Sequence, residues 1–279
     1  MLLTEVIGSG GVRIGLRVAG SERPATAAAP PIVFVHGWAQ SSLAWSYQLA
    51  DPGLAGAHLL AAMDLRGHGT SEVPAEGYDS SRAWAGDLFS VLEFAGTPAI
   101  VVGWSYGGLV ITDYLRTYGT AGLAGIVLAG AITELGRNRP GARTGPAMKA
   151  ALPDALSDDL RRAATALTEL SVGMAAEPVP GALAQQLLGA SLSVPPAVRS
   201  ALFRRDLASA DVLAAVDVPA LVLHGTADQV VDISAGEYAA GKIPGARTRW
   251  LSGVGHLPFI EQAAEFNSVL RQFAEDLSR

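Results

Sequence analysis

Cysteine is absent from the 279-residue chain, and its absence excludes several chemistries at once. There is no thiol nucleophile, no disulfide framework, no zinc finger and no cysteine-ligated iron–sulfur cluster. Charge is also scarce: Lys, Arg, Asp and Glu make up 16% of the chain, where about 25% is usual. The 26 acidic side chains outnumber the 20 basic ones, giving a formal net charge of −6. The basic field that a nucleic-acid partner requires is therefore missing. Long hydrophobic runs are lacking too. The longest, Ala121 to Ala131, falls short of the roughly 20 residues that cross a bilayer. Met1-Leu2-Leu3-Thr4-Glu5 has neither the basic region nor the apolar run of a secretory signal. A cytoplasmic protein with no membrane span and no nucleic-acid partner is the expectation.

What remains is core-forming material. Hydrophobic residues make up 49% of the chain although aromatics are only 6%, which is ample for a large core and argues against disorder. One large domain, or one domain carrying an insertion, fits the length, since α/β domains run to about 250 residues.

Short apolar runs alternate with amphipathic stretches. Val12 to Val18 reads as an early strand, Ser21 to Pro31 as a proline-rich loop, and Pro31 to Val35 as a buried strand ending at His36-Gly37. Leu59 to Met63, Ala99 to Val102, Gly125 to Leu128, Leu221 to Leu223 and Arg247 to Leu251 continue the series. Such alternation predicts a mostly parallel sheet with helices on both faces. From about Ala131 to Asp211 the pattern changes to Ala- and Leu-rich sequence punctuated by Pro153, Pro178, Pro180, Pro195 and Pro196. That segment reads as short helices inserted between strands. Phe259, Ala263, Phe266, Leu270 and Phe273 at helical spacing give an amphipathic C-terminal helix.

The most informative segment is Val101-Val102-Gly103-Trp104-Ser105-Tyr106-Gly107-Gly108, which contains the pattern G-x-S-x-G. A serine on a sharp strand-to-helix turn sits in strained backbone geometry, and glycines two residues either side make the turn possible. In a glycine-rich chain the bare pattern can be an ordinary turn. Here it directly follows a buried strand and precedes a helical pattern, which favours the functional reading of Ser105.

A serine hydroxyl needs a base to take its proton, and the base needs a group to orient it. Of the five histidines, His36 and His68 suit hydrogen-bonding roles at a strand end and a tight turn, and His58 and His224 have no special context. His256, in the Gly-rich loop Ser252 to Pro258 after the last strand, is placed to reach over a sheet edge. The orienting acid is read as Asp228, just beyond a strand, with Asp232 and Glu134 as alternatives. The order Ser105, Asp228, His256 is one of the known orders for this chemistry.

With these motifs the chain resembles the α/β-hydrolase fold superfamily, in particular its bacterial branch of cofactor-free haloperoxidase-like esterases. The resemblance covers Pro31 to about Leu128 and Leu221 to Phe273. It rests on His36-Gly37-Trp38, Asp64 to Ser71, Gly103 to Gly108, Gly225 to Asp228 and Gly253 to His256. It implies an eight-stranded, mostly parallel sheet with a helical cap inserted after the sixth strand. The core would then be residues 1–130 and 213–279, and the cap 131–212. It further implies an oxyanion hole from the backbone N–H groups of Trp38 and Tyr106, with Asp64 and Arg66 bracing a turn. Trp38, Trp104 and Leu257 are expected at the substrate, and Leu152, Leu156, Leu167, Met174, Leu187 and Leu188 could line the pocket or pack internally. Cap charges, Arg199 and Arg205 among them, are expected on solvated faces.

The resemblance implies no metal or organic cofactor. Gly8-Ser9-Gly10-Gly11 is not followed by a helical pattern and reads as a hairpin turn. The expected reaction is hydrolysis of an ester, lactone or thioester of a small apolar acyl substrate. Perhydrolysis with haloperoxidase-type activity, C–C bond hydrolysis and a non-catalytic ligand-binding member of the fold are the alternatives. A cap without Tyr and a Ser at the nucleophile position count against epoxide hydrolases. The same Ser counts against haloalkane dehalogenases, and the bulk of Trp38 counts against C–C hydrolases.

Overall fold

In the computed structural model, residues 1–20 and 29–277 are described; of the loop expected from Ser21 to Pro31, residues 21–28 lie outside them. The strands are β1 (Leu2–Ile7), β2 (Arg13–Gly20), β3 (Ile32–Val35), β4 (Leu59–Met63), β5 (Ala99–Trp104), β6 (Leu123–Ala129), β7 (Ala220–Gly225) and β8 (Arg247–Leu251). They form one eight-stranded sheet in the order β1-β2-β4-β3-β5-β6-β7-β8. The β1–β2 and β2–β4 pairs are antiparallel and the other five are parallel.

Burial follows this topology. β3, β5 and β7 are buried at every position, as expected of parallel strands covered on both faces, and it is why they read as unbroken apolar runs. β1 shows no fully buried residue, and its weak pattern left it unread in the sequence. Gly8 to Gly11 joins β1 to β2 as the expected turn, with Gly10 and Gly11 at φ of 70° and 80°.

Before the sixth strand the helices are α1 (Ser46–Leu49), α2 (Pro52–Ala57), α3 (Ser81–Ala95) and α4 (Gly107–Tyr118). Between β6 and β7 lie α5 (Pro146–Ala155), α6 (Leu160–Gly173), α7 (Gly181–Ser193), α8 (Pro196–Ala201) and α9 (Ala210–Ala214). The chain closes with α10 (Ile233–Lys242), α11 (Pro258–Glu261) and α12 (Ala263–Asp276). Helices α3, α4, α9 and α10 pack in one layer, and α1, α2, α11 and α12 in another. The expected C-terminal helix is thus two pieces, broken at Gln262, whose ψ of 52° is not helical.

The expected boundary at 212 falls inside α9, which packs against α4 and α10. Pro180, Pro195 and Pro196 sit at helix starts, where the missing N–H costs nothing. Pro153, expected as a breaker, instead lies inside the last turns of α5. The expectation for cap charges also needs correction: Arg199 and Arg205 are buried, at 3% and 6% exposure. Arg199 donates to the carbonyls of Ala155, Ser191 and Val194, tying α5, α7 and α8 together. Leu167, Met174 and Leu187 are buried in the core cluster, and Leu152, Leu156 and Leu188 pack against it.

The sheet order sets the location of a site. From β3 the chain goes to β4 on one side, and then crosses to β5 on the other. In open parallel sheets, ligands bind beyond the carboxyl ends of the strands at such a switch point. His36-Gly37-Trp38 and Trp104-Ser105 lie there.

Candidate active site

Ser105 takes a left-handed conformation, φ 54°, between the end of β5 and the start of α4. Its main chain is fixed on both sides. The Ser105 N–H donates to the Ala129 carbonyl at 3.2 Å, and its carbonyl accepts from Gly108 and Ile132 at 3.0 and 3.1 Å. The glycines act differently from a simple clearance around the serine. A β-carbon on Gly103 would meet the Gly107 carbonyl carbon at 2.8 Å, and one on Gly107 would run into the Val35 carbonyl of β3. Both residues let the turn lie flat on the sheet edge. On the facing side, a β-carbon on Gly37 would stand 2.8 Å from Ser105 Cβ and 3.3 Å from its Oγ.

Among the described residues, Ser105 Oγ has no hydrogen-bonding partner, and neither the Trp38 nor the Tyr106 main-chain N–H has an acceptor. Helix α4 begins directly after Tyr106, and its N-terminal end favours negative charge at this spot.

Asp228 lies on the turn after β7, buried at 8% exposure. Its Oδ1 accepts from the Val230 and Val231 N–H groups at 2.8 and 2.9 Å. Its Oδ2 accepts from His256 Nδ1 at 2.7 Å. Burial alone would raise the carboxyl, but the His256 and His224 imidazoles and their hydrogen bonds outweigh it and hold Asp228 well below the usual carboxylate range. Of the two alternative acids, Glu134 accepts from Gly141 N–H, Ser209 N–H and the Tyr238 hydroxyl. Asp232 caps α10.

His256 is held from three directions. Its N–H donates to the Met174 carbonyl at 2.6 Å, its carbonyl accepts from Trp104 Nε1 at 2.9 Å, and its ring lies 5.3 Å from the Trp104 indole. Glu261, which gave no signal in the sequence, accepts from the N–H groups of Ala176, Gly255 and Leu257 and so ties down the loop. The Ala129–Gly130 corner brings the parts together. Ala129 receives the Ser105 N–H, while a β-carbon on Gly130 would stand 3.3 Å from both Asp228 Oδ2 and His256 Nδ1.

Trp38 and Tyr106 turn their side chains toward the segment between β6 and β7. Trp38 Nε1 donates to the Arg199 carbonyl and its ring meets Phe203 edge-on at 5.5 Å. The Tyr106 hydroxyl donates to the Leu202 carbonyl and accepts from Arg205, and burial pushes it up to about 12. Trp104 and Leu257, expected at the substrate, are enclosed at 1% and 0% exposure. The Trp104 indole packs on Phe259 and His256.

The remaining histidines brace the turns. His36 Nδ1–H donates to the Gly37 carbonyl while its Nε2 accepts from Leu65. His68 Nδ1–H donates to the Arg66 carbonyl while its Nε2 accepts from Ala39. Asp64 braces as expected, accepting from Ser42 and Thr70. Arg66 does so differently, through a buried ion pair with Asp87 of α3 at 2.7 Å. His224 departs from the sequence reading. It sits 3.1 Å from Asp228 Oδ2.

The turn at the switch point, the strained serine and the acid–imidazole pair belong to the class of α/β-hydrolase folds. The Alpha/beta hydrolase family matches residues 32–269, and the chain belongs to that family as an enzyme of the α/β-hydrolase superfamily. It is similar to the crystal structure of esterase RhEst1 from Rhodococcus sp. ECU1013, with a TM-score of 0.92 and 44% identity over 99% of this chain and 100% of that one. It is also similar to a putative aryl esterase from Burkholderia cenocepacia, with a TM-score of 0.90 and 30% identity over the full length of both chains. A non-heme haloperoxidase of Rhodococcus erythropolis is 30% identical across 88% of this chain and 92% of its own length.

Proposed function

We propose that the chain is a carboxylic ester hydrolase that works through an acyl-enzyme on Ser105. The observation that carries this reading is the Asp228–His256 contact at 2.7 Å beside a serine held at φ 54°. Ser105 attacks the substrate carbonyl as His256 takes its proton. Asp228 keeps the imidazole in the Nδ1–H tautomer, leaving Nε2 as the base, and stabilises the imidazolium that forms. The unpaired Trp38 and Tyr106 N–H groups receive the charge that develops on the carbonyl oxygen. His256 then protonates the leaving group and activates a water that releases the acid.

Ser105 is only 9% exposed, and the segment between β6 and β7 packs on its neighbours Trp38 and Tyr106, so the reading is of a small apolar acyl group on an ester, lactone or thioester. Kinship with esterases supports this. Kinship with the haloperoxidase supports a second reading, in which hydrogen peroxide replaces water at the acyl-enzyme and yields a peracid.

Initial rates on short-chain p-nitrophenyl esters, lactones and thioesters, with and without peroxide and acetate, test both. Turnover of at least one ester class is expected, and Asp228→Asn should lower kcat by about 10³–10⁴-fold because the wrong tautomer is stabilised. No turnover across the panel, or an Asp228→Asn variant as fast as the parent, would overturn the hydrolase reading. Peracid formation outpacing hydrolysis would favour the second.

A further inference from the structure

Asp228 is approached by two imidazoles. His224, the penultimate residue of β7, stands four positions before it, and both side chains are almost fully enclosed, at 0% and 1% exposure. His224 Nε2 is 3.1 Å from Asp228 Oδ2 and 3.1 Å from the Val231 carbonyl. Both neighbours are acceptors, so Nε2 carries the proton and shares it between them.

The other nitrogen fixes the tautomer of this ring. Nδ1 is buried without a partner. It presses on α10, where a β-carbon on Gly236 would come within 2.7 Å of it. A proton on Nδ1 would have no acceptor there, so Nε2 is the donor nitrogen of this ring. Gly236 is the residue that lets the ring lie this close to Asp228.

The consequence falls on the carboxylate. Oδ1 takes two main-chain N–H groups, from Val230 and Val231. Oδ2 takes His256 Nδ1–H at 2.7 Å and is approached at 3.1 Å by the Nε2–H that His224 shares with the Val231 carbonyl. An ionised carboxylate offers about four lone-pair sites, and all of them are occupied. The group therefore has no freedom to rotate about its last torsion, and the lone pair that meets His256 is held in one direction.

We propose that His224 is a positioning residue for the reaction at Ser105: its Nε2–H locks the Asp228 carboxylate in the orientation that aims His256. The inference rests on the acyl-enzyme reading. His224 touches no reacting atom and acts through Asp228. Removing its donor leaves one Oδ2 site empty, so the carboxylate and the imidazole on it can swing. Misplacement of a catalytic group by about 1 Å costs on the order of 100-fold in rate.

The test measures kcat and KM separately on a p-nitrophenyl ester for His224→Leu, His224→Gln, Gly236→Ala and Ser105→Ala, each with its thermal midpoint. The low-field NMR signal of the His256 Nδ1 proton is followed in the same proteins. His224→Leu is expected to lose 10- to 100-fold in kcat with KM nearly unchanged, and the low-field signal to broaden or shift. His224→Gln, whose amide can donate to both oxygens, is expected to recover most of the loss. Gly236→Ala keeps the imidazole but pushes it aside, and is expected to lose kcat in the same way, which tests the idea even if His224→Leu does not fold. A parental kcat in Gly236→Ala or in folded His224→Leu would overturn the role of His224. A Gln variant as slow as the Leu variant would do the same. An active Ser105→Ala protein would instead overturn the acyl-enzyme reading beneath it.

Discussion

Gly37 faces Ser105 with no room for a methyl group, and this contact makes a prediction at the scale of one residue. A β-carbon there would sit 2.8 Å from Ser105 Cβ, closer than real side chains come, and Ser105 already holds a left-handed φ that a non-glycine residue adopts only under constraint. Gly37→Ala should therefore displace the hydroxyl and lower kcat about 100-fold, while the melting temperature stays within a few degrees of the parent; esterase assays and calorimetry check the two halves. Ser105, His256 and Asp228 were legible because each sits in a short glycine-rich turn, and turn chemistry is local. Glu261 and His224 were not. Their partners, Gly255 and Asp228, lie close in sequence, but the contacts depend on where α11 and the turn after β7 fold back, which no residue pattern encodes.

At the scale of elements, a buried ion pair adds to the hydrogen bonds that couple the β6–β7 segment to the nucleophile turn. Arg205, beyond α8, places Nη2 at 2.7 and 2.6 Å from the two carboxylate oxygens of Asp113 on α4 and at 3.0 Å from Ser81 Oγ of α3. Nη1 donates to the hydroxyl of Tyr106, the residue after Ser105. Breaking such a pair leaves a buried carboxylate uncompensated. Arg205→Leu should cost about 3–5 kcal/mol, whereas the double change with Asp113→Leu should recover much of that loss; urea unfolding of the two variants decides. A double variant no more stable than Arg205→Leu would rule out the pair as the cause. None of this was legible in the sequence, where the arginines of this segment resemble any solvated helix face. The helices themselves were only partly readable. α4 announces itself by a buried run from Gly107 to Leu115, but α7 is Ala- and Leu-rich all round and α5 and α8 are short, so their boundaries follow from packing more than from periodicity.

At the scale of the whole molecule, the buried pair His36 and His68 is a pH liability. Burial, reinforced by the nearby His36, lowers His68 from 6.5 to about 3, and burial lowers His36 as well. The sign follows from proton binding. Below pH 6.5 the unfolded chain takes up protons that the folded chain refuses, so stability falls with pH down to about 3. Asp228 adds to this at the acid end, because a depressed carboxylate stabilises the fold above its unfolded value of 3.8 and that contribution is lost as pH drops below it. Melting temperatures should thus decline from pH 7 to pH 4, and His68→Gln, though less stable at neutral pH, should flatten the decline. An unchanged slope in that variant would place the acid sensitivity elsewhere. The sheet that surrounds these groups was the most legible feature at this scale, since buried parallel strands appear as apolar runs. Edge strand β1 buries too little to show, and the switch between β3 and β5 is a matter of strand order, which emerges only from the fold.

The central claim, a covalent intermediate on Ser105, is tested most directly by intact-mass analysis after treatment with a fluorophosphonate. The account predicts a single adduct on the parent protein, mapped by peptide sequencing to Ser105, with no adduct on Ser105→Ala. Full labelling of the alanine variant, or an adduct mapped to another residue, would contradict it.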